Sequence, residues 1–192
     1  MTVPEREPFN PYAAPAAAAL DESNGGAEPV YFSVGLLKLA VMCVFTFGLY
    51  EFYWFYRQWE AVRRGHALRL NAPLRAVCFP LTSYALFQQI AHESRRLQIP
   101  CAIQPLPLAL GVLVIASLLR MPDPYWMLSL LGFLPLIPIQ SAINEIHERL
   151  SPNAPRNTGY STLNLITIVP GMLILVPLLL NIFVAHWLLS GA

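Results

Sequence analysis

The sequence predicts an all-α protein, a polytopic transmembrane helical bundle of about four spanning helices plus one interfacial or re-entrant amphipathic helix. Of its 192 residues, 56% are hydrophobic and 12% are charged, about half of the roughly 25% charged fraction of soluble domains. Long apolar runs approach the roughly 20 residues that a helix needs to cross a bilayer. Residues 45–59 include nine aromatic side chains, and amphipathic rings concentrate at membrane–water boundaries.

The first 30 residues are predicted to form a disordered N-terminal tail, and residues 31–192 the transmembrane helical domain. The tail contains five acidic residues, one arginine and five prolines, so it offers little apolar surface to bury. It contains no basic stretch followed by an apolar one, which argues against a secretory signal peptide. Cys43, Cys78 and Cys101 lack CxxC spacing, which argues against a disulfide framework and a zinc site.

Five apolar segments follow the tail: residues 34–56, 74–91, 101–119, 125–143 and 163–189. The first is long enough, at roughly 1.5 Å per residue, to span a hydrocarbon core of about 30 Å. The third and fourth are joined by a proline-rich turn, residues 120–124, which predicts an antiparallel hairpin. The fifth has 27 residues and exceeds that thickness, so we expect tilt, or kinks at Pro170 and Pro177.

The second segment has the pattern of an amphipathic helix that lies at the headgroup level. Its apolar residues recur at helical spacing opposite polar and basic ones: Tyr84, Phe87, Ile90, Ala91 and Leu97 against Gln88, Gln89, His92, Glu93, Arg95 and Arg96. If all five segments cross the membrane, the arginines divide six to five between its two sides. If the second segment enters and leaves on one side, they divide nine to two, which matches the basic excess of cytoplasmic loops.

The second arrangement predicts that residues 57–105 and 144–162 are cytoplasmic and that the C-terminus lies on the far side. The side of the tail stays open, because Gly48 can mark a hairpin that returns the first segment to its starting side. The first helix is predicted to continue to Gly65, with an i,i+4 ion pair between Glu60 and Arg64. Five rings are predicted to form an interface belt at its cytoplasmic end: Tyr50, Tyr53, Trp54, Tyr56 and Trp59.

A motif runs through the first segment: Lys38-Leu39, then Thr46-Phe47-Gly48-Leu49-Tyr50, then Tyr53-Trp54-Phe55-Tyr56. It resembles a segment shared by a family of bacterial inner-membrane proteins that is defined as a domain of unknown function. The resemblance extends more loosely through Gln140 and Ile143-Asn144 to about residue 175, and Cys43 stands where serine is expected. It implies a bacterial inner-membrane location. The family carries no established activity, so no functional residue is transferred.

Two ionisable residues of the first segment are candidate functional residues. Lys38 lies about one turn inside the segment, and its side chain can extend towards the headgroups or enter a buried ion pair. Glu51 lies near the hydrocarbon edge, where its carboxylate can reach water or pair with an arginine on a neighbouring element.

The richest polar cluster, residues 144–150, is predicted to be the cytoplasmic end of the fourth helix, which stops at Ser151-Pro152. Its candidate functional residues are Asn144, Glu145 and His147. The acids and the histidine can supply metal ligands or a general base, but their spacing departs from HExxH. A solvated, amphipathic helix end is the simpler interpretation.

The sequence contains no Walker A loop, GxGxxG or GxSxG motif, and a net charge of +1 argues against a nucleic-acid partner. We therefore expect a non-enzymatic scaffold, sensor or subunit without a cofactor. Its expected partners are the lipid bilayer and either another membrane protein or further copies of itself. The alternative is a small oligomeric transporter or channel with Lys38, Glu51, Asn164 or Asn181 along its pathway, which proline-interrupted helices favour. Asn181 is otherwise expected to hydrogen-bond between helices.

Overall fold

The computed structural model describes residues 31–65, 70–100, 103–152 and 157–190. These residues form seven α-helices and one 3-10 helix, which confirms the all-α prediction for them. The helices are α1 (Leu36–Phe45), α2 (Leu49–Gly65), α3 (Ala72–Val77), α4 (Phe79–Arg96), α5 (Pro105–Leu118), the 3-10 helix (Tyr125–Phe133), α6 (Leu136–Leu150) and α7 (Thr162–Ser190). The predicted disordered tail and Cys101 lie outside the described residues.

The first apolar segment is not the single helix that the sequence predicts, because a turn at residues 46–48 breaks it. Phe47 and Gly48 have φ angles of 51° and 81°, in the left-handed region that ends helices. The N–H of Gly48 donates to the Cys43 carbonyl at 2.9 Å, and the N–H of Phe47 to the Val44 carbonyl at 3.2 Å. This Schellman arrangement satisfies carbonyls at the end of α1 that have no partner within the helix.

Thr46 joins the two helices through its hydroxyl group. The hydroxyl donates to the Met42 carbonyl at 2.7 Å and accepts from the Tyr50 N–H at 2.9 Å. Beyond the turn the chain returns alongside α1, since Phe32, just before α1, is hydrogen-bonded to Gln58 in the second half of α2. Helices α1 and α2 therefore form a helical hairpin. A hairpin at Gly48 was one of the two arrangements that the sequence allowed.

Further contacts gather several segment ends at one end of the bundle, here called the polar end. Asn144 donates to the Val34 carbonyl at 3.0 Å, Gly35 N–H to the Asn157 carbonyl at 3.3 Å, and Arg149 to the Leu97 carbonyl at 2.7 Å. The polar end thus holds the start of α1, the second half of α2, the ends of α4 and α6, and the start of α7. The opposite end, here called the turn end, holds residues 46–48 and the end of α5, which line one cavity.

The second apolar segment forms two helices, and α4 has the predicted amphipathic character. Asn71 caps α3 by accepting from the Leu74 N–H at 3.3 Å. Phe87, Ile90 and Ala91 of α4 are buried, and the helix packs mainly on α5 and α6 and also on α2 and α3. Tyr84, which the helical spacing placed on the apolar face, is exposed instead. The buried face also includes Ser83, Leu86 and Ser94.

The predicted hairpin of the third and fourth segments is present as α5 packed against the 3-10 helix. The fourth segment begins with nine residues of 3-10 helix, and α6 begins at Leu136. Helix α6 ends at Leu150 with Ser151 as its C-cap, as predicted.

Helix α7 is a single helix of 29 residues that contains both Pro170 and Pro177. Its most strongly packed neighbour in the described chain is α1. Its buried and half-buried positions, 164, 168, 171, 175, 178 and 182, are spaced by four and three residues, which is the spacing of one contact seam. Most of the other described side chains of α7 are apolar and exposed, with Thr162, Thr167 and Asn181 as exposed polar exceptions.

Two stretches are long and apolar enough to cross a membrane, Tyr125–Leu150 and Thr162–Val184. They correspond to two of the four predicted spanning segments. The first is 44% buried within the protein, so packing inside the protein can also account for its composition. The second is only 11% buried, and its apolar surface therefore has to be covered by something outside the described chain.

The predicted interface belt is divided by the structure. Tyr53 and Tyr56 are exposed, whereas Tyr50, Trp54 and Trp59 are buried in the core. Tyr50, Trp54 and Trp59 are buried because they lie on the face of α2 that packs against neighbouring segments. On that face Phe55 stacks on Phe79 and Phe87 of α4, with ring centroids 4.9 Å and 6.2 Å apart. The aromatic segment is therefore largely core, and only its outer face remains available to an interface.

Candidate functional site

Three side-chain amides hold the extended segment Tyr31–Val34 at the polar end. The Gln58 amide accepts from the Phe32 N–H at 3.1 Å and donates to the Phe32 carbonyl at 2.8 Å. The Gln140 side chain accepts from the Trp54 indole N–H at 2.6 Å and donates to the side-chain Oδ1 of Asn144 at 2.9 Å. The same Asn144 oxygen accepts from the Ser33 hydroxyl at 2.9 Å. We call Gln58, Gln140 and Asn144 the amide clamp.

The amide clamp has a structural role, and it accounts for the predicted candidate Asn144. A short extended segment has no helix or sheet to satisfy its backbone groups, which must be paired when they are buried. The clamp supplies those partners from α2 and α6 and fixes the entry into α1. Tyr31 also belongs to this segment, and burial, together with the nearby Glu93 carboxylate, raises the pKa of its hydroxyl well above the usual range.

Lys38 is buried, with 4% of its surface exposed, and it is not extended towards water. Its ammonium group donates to Asn157 Oδ1 at 2.7 Å and to the Gly159 carbonyl at 2.6 Å. The Asn164 amide satisfies its own hydrogen bonds when its oxygen faces Lys38, 3.0 Å from Nζ. All three partners are neutral oxygens. None of the ion pairs among the described residues includes Lys38, so the expected alternative of a buried ion pair is wrong for them.

A cleft of about 700 Å³ begins at Lys38 and runs between the α1–α2 hairpin and α7. This volume lies within the roughly 300–1,000 Å³ range of small-molecule sites. Its polar end is lined by Lys38, Asn157, Ser161 and Asn164. Apolar residues line the rest, among them Met42, Phe45, Pro170 and Ile174. We call this space the Lys38 cleft, and it is amphipathic along its length.

The start of α7 adds to the positive potential at the polar end of the Lys38 cleft. Helix α7 begins at Thr162, and the first N–H groups of a helix, together with its dipole, attract anions. The Ser161 hydroxyl accepts from the Asn164 N–H at 3.4 Å. The lysine charge and the helix start therefore both favour an acidic group in this position.

Glu51 is also buried, with 7% of its surface exposed. Its Oε1 atom accepts no hydrogen bond, and its carboxyl group is packed against Gly132, where a Cβ atom would overlap it. No ion pair among the described residues includes Glu51. Within the described residues the expected arginine partner is therefore absent, and the carboxyl group reaches the outside only through the cavity that it lines. Glu51 lines a separate cavity at the turn end.

The cluster at the end of α6 does not form a metal site in the described part of the chain, where no three His, Cys, Asp or Glu side chains converge. Glu145 pairs with Arg149 at 3.2 Å on the surface, as a solvated helix end would. His147 differs from that interpretation because it is buried. Neither of its ring nitrogens has a hydrogen-bond partner.

Asn181 is exposed on α7. The expected hydrogen bond from Asn181 to another helix is not formed within the described residues. Cys43 is a buried free thiol and Cys78 an exposed one.

Comparison with protein-family models, with curated proteins and with solved structures gives no match to this chain. The resemblance of the aromatic segment to bacterial inner-membrane proteins therefore stays a prediction. Of the candidate residues, the structure brings Lys38 together with Asn164 and places Asn144 in the amide clamp. Glu145 lies beside Asn144 at the edge of the polar end, whereas Glu51 and Asn181 do not line the Lys38 cleft and are not part of the amide clamp.

Proposed function

We propose that this chain is an integral protein of the bacterial inner membrane that works by binding rather than by catalysis, as a sensor or subunit that holds an acidic amphiphile in the Lys38 cleft. One observation carries the proposal. A buried ammonium group with neutral hydrogen-bond partners lies at the polar end of an apolar cleft. A buried charge without a counter-ion is costly, and an acidic headgroup would supply that counter-ion while its chain covers the apolar walls.

The α1–α2 hairpin supports a membrane arrangement with fewer crossings than the sequence predicts. Ten residues of α1 are roughly 15 Å long, about half of the hydrocarbon thickness. The hairpin is therefore proposed to be re-entrant, and α5, the 3-10 helix with α6, and α7 to cross. This arrangement moves Arg6 to the cytoplasmic side and leaves Arg120 alone on the other, so that the arginines divide ten to one, in agreement with the basic excess of cytoplasmic loops.

In this orientation the polar end faces the cytoplasm and the Lys38 cleft lies in the inner leaflet. Lys38 and Asn157 are then at headgroup depth, and Pro170 and Ile174 are deeper. A phospholipid of the inner leaflet has the same order, with an acidic headgroup outside and acyl chains inside. The cleft borders α7, whose apolar surface is exposed, so a lipid can enter sideways from the bilayer.

The test is native mass spectrometry of the full-length chain in a nonionic detergent, titrated with phosphatidylglycerol and with phosphatidylcholine of the same chain length. We expect at least a fivefold preference for the acidic lipid. The variant K38Q is expected to lose this preference, because it removes the charge. Ile174→Trp fills the apolar end and is expected to weaken the binding of both lipids.

Arg95→Gln is the matched control, since Arg95 is an exposed cation on α4 that does not line the cleft. It should keep the preference of the wild-type chain. Circular dichroism shows whether each variant is folded. Equal binding of both lipids by the wild-type chain, or an unchanged preference in folded K38Q, would contradict the proposal.

A second candidate function is transport by an oligomer of this chain, and one observation favours it. The Lys38 cleft and the Glu51 cavity lie on either side of the turn at residues 46–48, and Phe47 lines both. Broken helices between two cavities are typical of transporter binding sites. Flux of ions or small solutes into liposomes that contain the protein tests this candidate, and flux no greater than in empty vesicles would exclude those solutes.

A further inference from the structure

The Glu51 cavity is a second, partly open space, separate from the Lys38 cleft apart from the shared wall residue Phe47, with a volume of about 340 Å³. Glu51 enters it from α2, Ser117 from the end of α5 and Ser129 from the 3-10 helix. Phe52 and Phe79 form part of its wall, with ring centroids 5.0 Å apart in an edge-to-face arrangement. Three elements thus bring one carboxyl group, two hydroxyl groups and two aromatic rings to the same place.

The Glu51 carboxyl group lacks what a buried carboxylate needs. Its Oε1 atom is fully enclosed and accepts no hydrogen bond, and it lies against Gly132, which leaves room for it only because glycine has no Cβ. Desolvating a carboxylate without a counter-ion or hydrogen bonds is costly. A carboxyl group buried in this way favours a positively charged partner within the cavity that it lines.

The other groups of the cavity select the kind of cation. A metal ion such as Ca²⁺ needs six or more oxygen ligands, whereas this cavity offers a single carboxyl group and two hydroxyls. The Ser117 hydroxyl already donates to the Leu113 carbonyl at 2.7 Å, which leaves its lone pairs free to accept. Aromatic faces attract ammonium groups, and apolar walls accommodate a short hydrocarbon body.

We propose that this cavity binds a small organic cation, a primary or secondary alkylammonium, with its nitrogen at Glu51 and Ser117 and its hydrocarbon body against Phe52 and Phe79. The proposal rests on this cavity alone and does not depend on lipid binding in the Lys38 cleft. Arg120 is the competing partner, because it is exposed and lines the same cavity. A swing of its guanidinium group onto Glu51 would close the site.

Isothermal titration calorimetry of the full-length chain in a nonionic detergent tests the proposal, with n-butylammonium as the probe and n-butanol as its neutral counterpart. We expect n-butylammonium to bind at least tenfold more tightly than n-butanol. Glu51→Gln keeps the shape of the side chain and should remove this difference. Glu60→Gln is the matched control, because Glu60 is paired with Arg63 at 2.7 Å at the polar end; it should bind as the wild type does.

Two further variants keep the test decisive. Ser129→Leu fills the cavity from the 3-10 helix without changing Glu51, and it should abolish binding even if Glu51→Gln does not fold. Arg120→Gln should leave binding unchanged or strengthen it. The proposal is overturned if the wild-type chain binds neither probe, if it binds both equally, or if Glu51→Gln binds n-butylammonium as before. An Arg120→Gln variant that melts as early as Glu51→Gln, with no probe bound by the wild type, would identify Arg120 as the partner.

Discussion

The side-chain amide of Gln58 forms two hydrogen bonds with the main chain of Phe32, at 3.1 Å and 2.8 Å, across 26 residues of sequence. Gln58 is fully buried; it is the acceptor for the Phe32 N–H and the nearer of two donors to the Phe32 carbonyl, the other being Gln140 at 3.5 Å. This pair ties the segment before α1 to the second half of α2 and thereby closes the helical hairpin. It is the contact on which the arrangement of the polar end most depends.

Gln58→Ala is expected to destabilise the protein by about 2–3 kcal/mol, because the Phe32 N–H loses its partner, the Phe32 carbonyl keeps only the Gln140 amide at 3.5 Å, and a small cavity is left. Equilibrium unfolding followed by circular dichroism in detergent measures the change. Gln88→Ala is the control, since Gln88 is exposed on α4 and should change stability by less than about 0.5 kcal/mol. Equal effects of the two substitutions would show that Gln58 does not hold Phe32.

Trp54 and Trp59 offer a matched comparison, since both are fully buried on α2. The Trp54 indole N–H donates to Gln140 at 2.6 Å, whereas the Trp59 indole N–H has no partner and its ring lies 4.5 Å from the Arg75 guanidinium. Trp→Phe removes the same volume at both sites. We expect W54F to cost about 1–3 kcal/mol more than W59F, because it leaves the Gln140 oxygen unpaired. Thermal melts of the two variants compare them directly, and the reverse order would contradict the amide clamp.

Gly171 brings α7 against the end of α1, since a Cβ atom at this position would overlap the Phe45 carbonyl. Gly171→Ala should gain about 1 kcal/mol from helix propensity. The overlap involves rigid backbone and costs about 1–3 kcal/mol, so we expect a net loss of stability and weaker lipid binding in the Lys38 cleft. Gly159→Ala is the control for stability alone, because no atom lies within 4 Å of its Cβ position, whereas its carbonyl accepts from Lys38 in the cleft. A Gly171→Ala variant as stable as the wild type would show that α1 and α7 are further apart.

The helical segments and their apolar faces could be predicted from the sequence, because length and periodicity report them directly. The long helix α7 and the end of α6 at Leu150 are examples. The break at residues 46–48 could not be predicted with the same certainty, because Phe47, not glycine, takes the first left-handed position, with φ of 51°. Phe47 adopts this conformation in the context of the α1–α2 hairpin, which is a tertiary arrangement.

Of the amide clamp, only Asn144 is a candidate from the sequence, although Gln58 and Gln140 also leave a signal there. Gln58 lies four residues after Trp54 and four before Val62, so an amide occupies a position on the buried face of α2. Gln140 has the same place in α6, between the buried residues Leu136 and Ile143. A polar residue at an apolar position indicates a hydrogen-bonding need in the core. Its partner, the backbone of a segment 26 or 108 residues away, is not visible in any local pattern.

For the candidate sites too, the sequence identifies the residues but not their surroundings. Lys38 and Glu51 stood out because ionisable residues in apolar segments are rare. Their surroundings could not be derived, because Asn157 and Gly159, which accept from Lys38, lie in the segment before α7. The neighbour of Glu51 is Gly132 of the 3-10 helix. Contacts between segments so far apart in sequence depend on packing.

Gln98 ends α4 in the conformation that Phe47 has at the end of α1, with φ of 52°. Its N–H donates to the Arg95 carbonyl at 3.0 Å, and the next N–H, of Ile99, to the Ser94 carbonyl at 2.9 Å. Residues other than glycine are disfavoured in this region by roughly 1–2 kcal/mol, and Gln98 is exposed and lines neither cavity. Gln98→Gly is therefore expected to stabilise the protein by about 1 kcal/mol.

The matched substitution is Gln88→Gly, which places glycine at an exposed position inside α4, where it should destabilise the helix by about 1 kcal/mol. The two variants carry the same chemical change in the same helix, so only the backbone conformation differs between them. Thermal unfolding should therefore move in opposite directions, upwards for Gln98→Gly and downwards for Gln88→Gly. A decrease in both would mean that residue 98 does not hold the left-handed conformation and that α4 continues beyond Arg96.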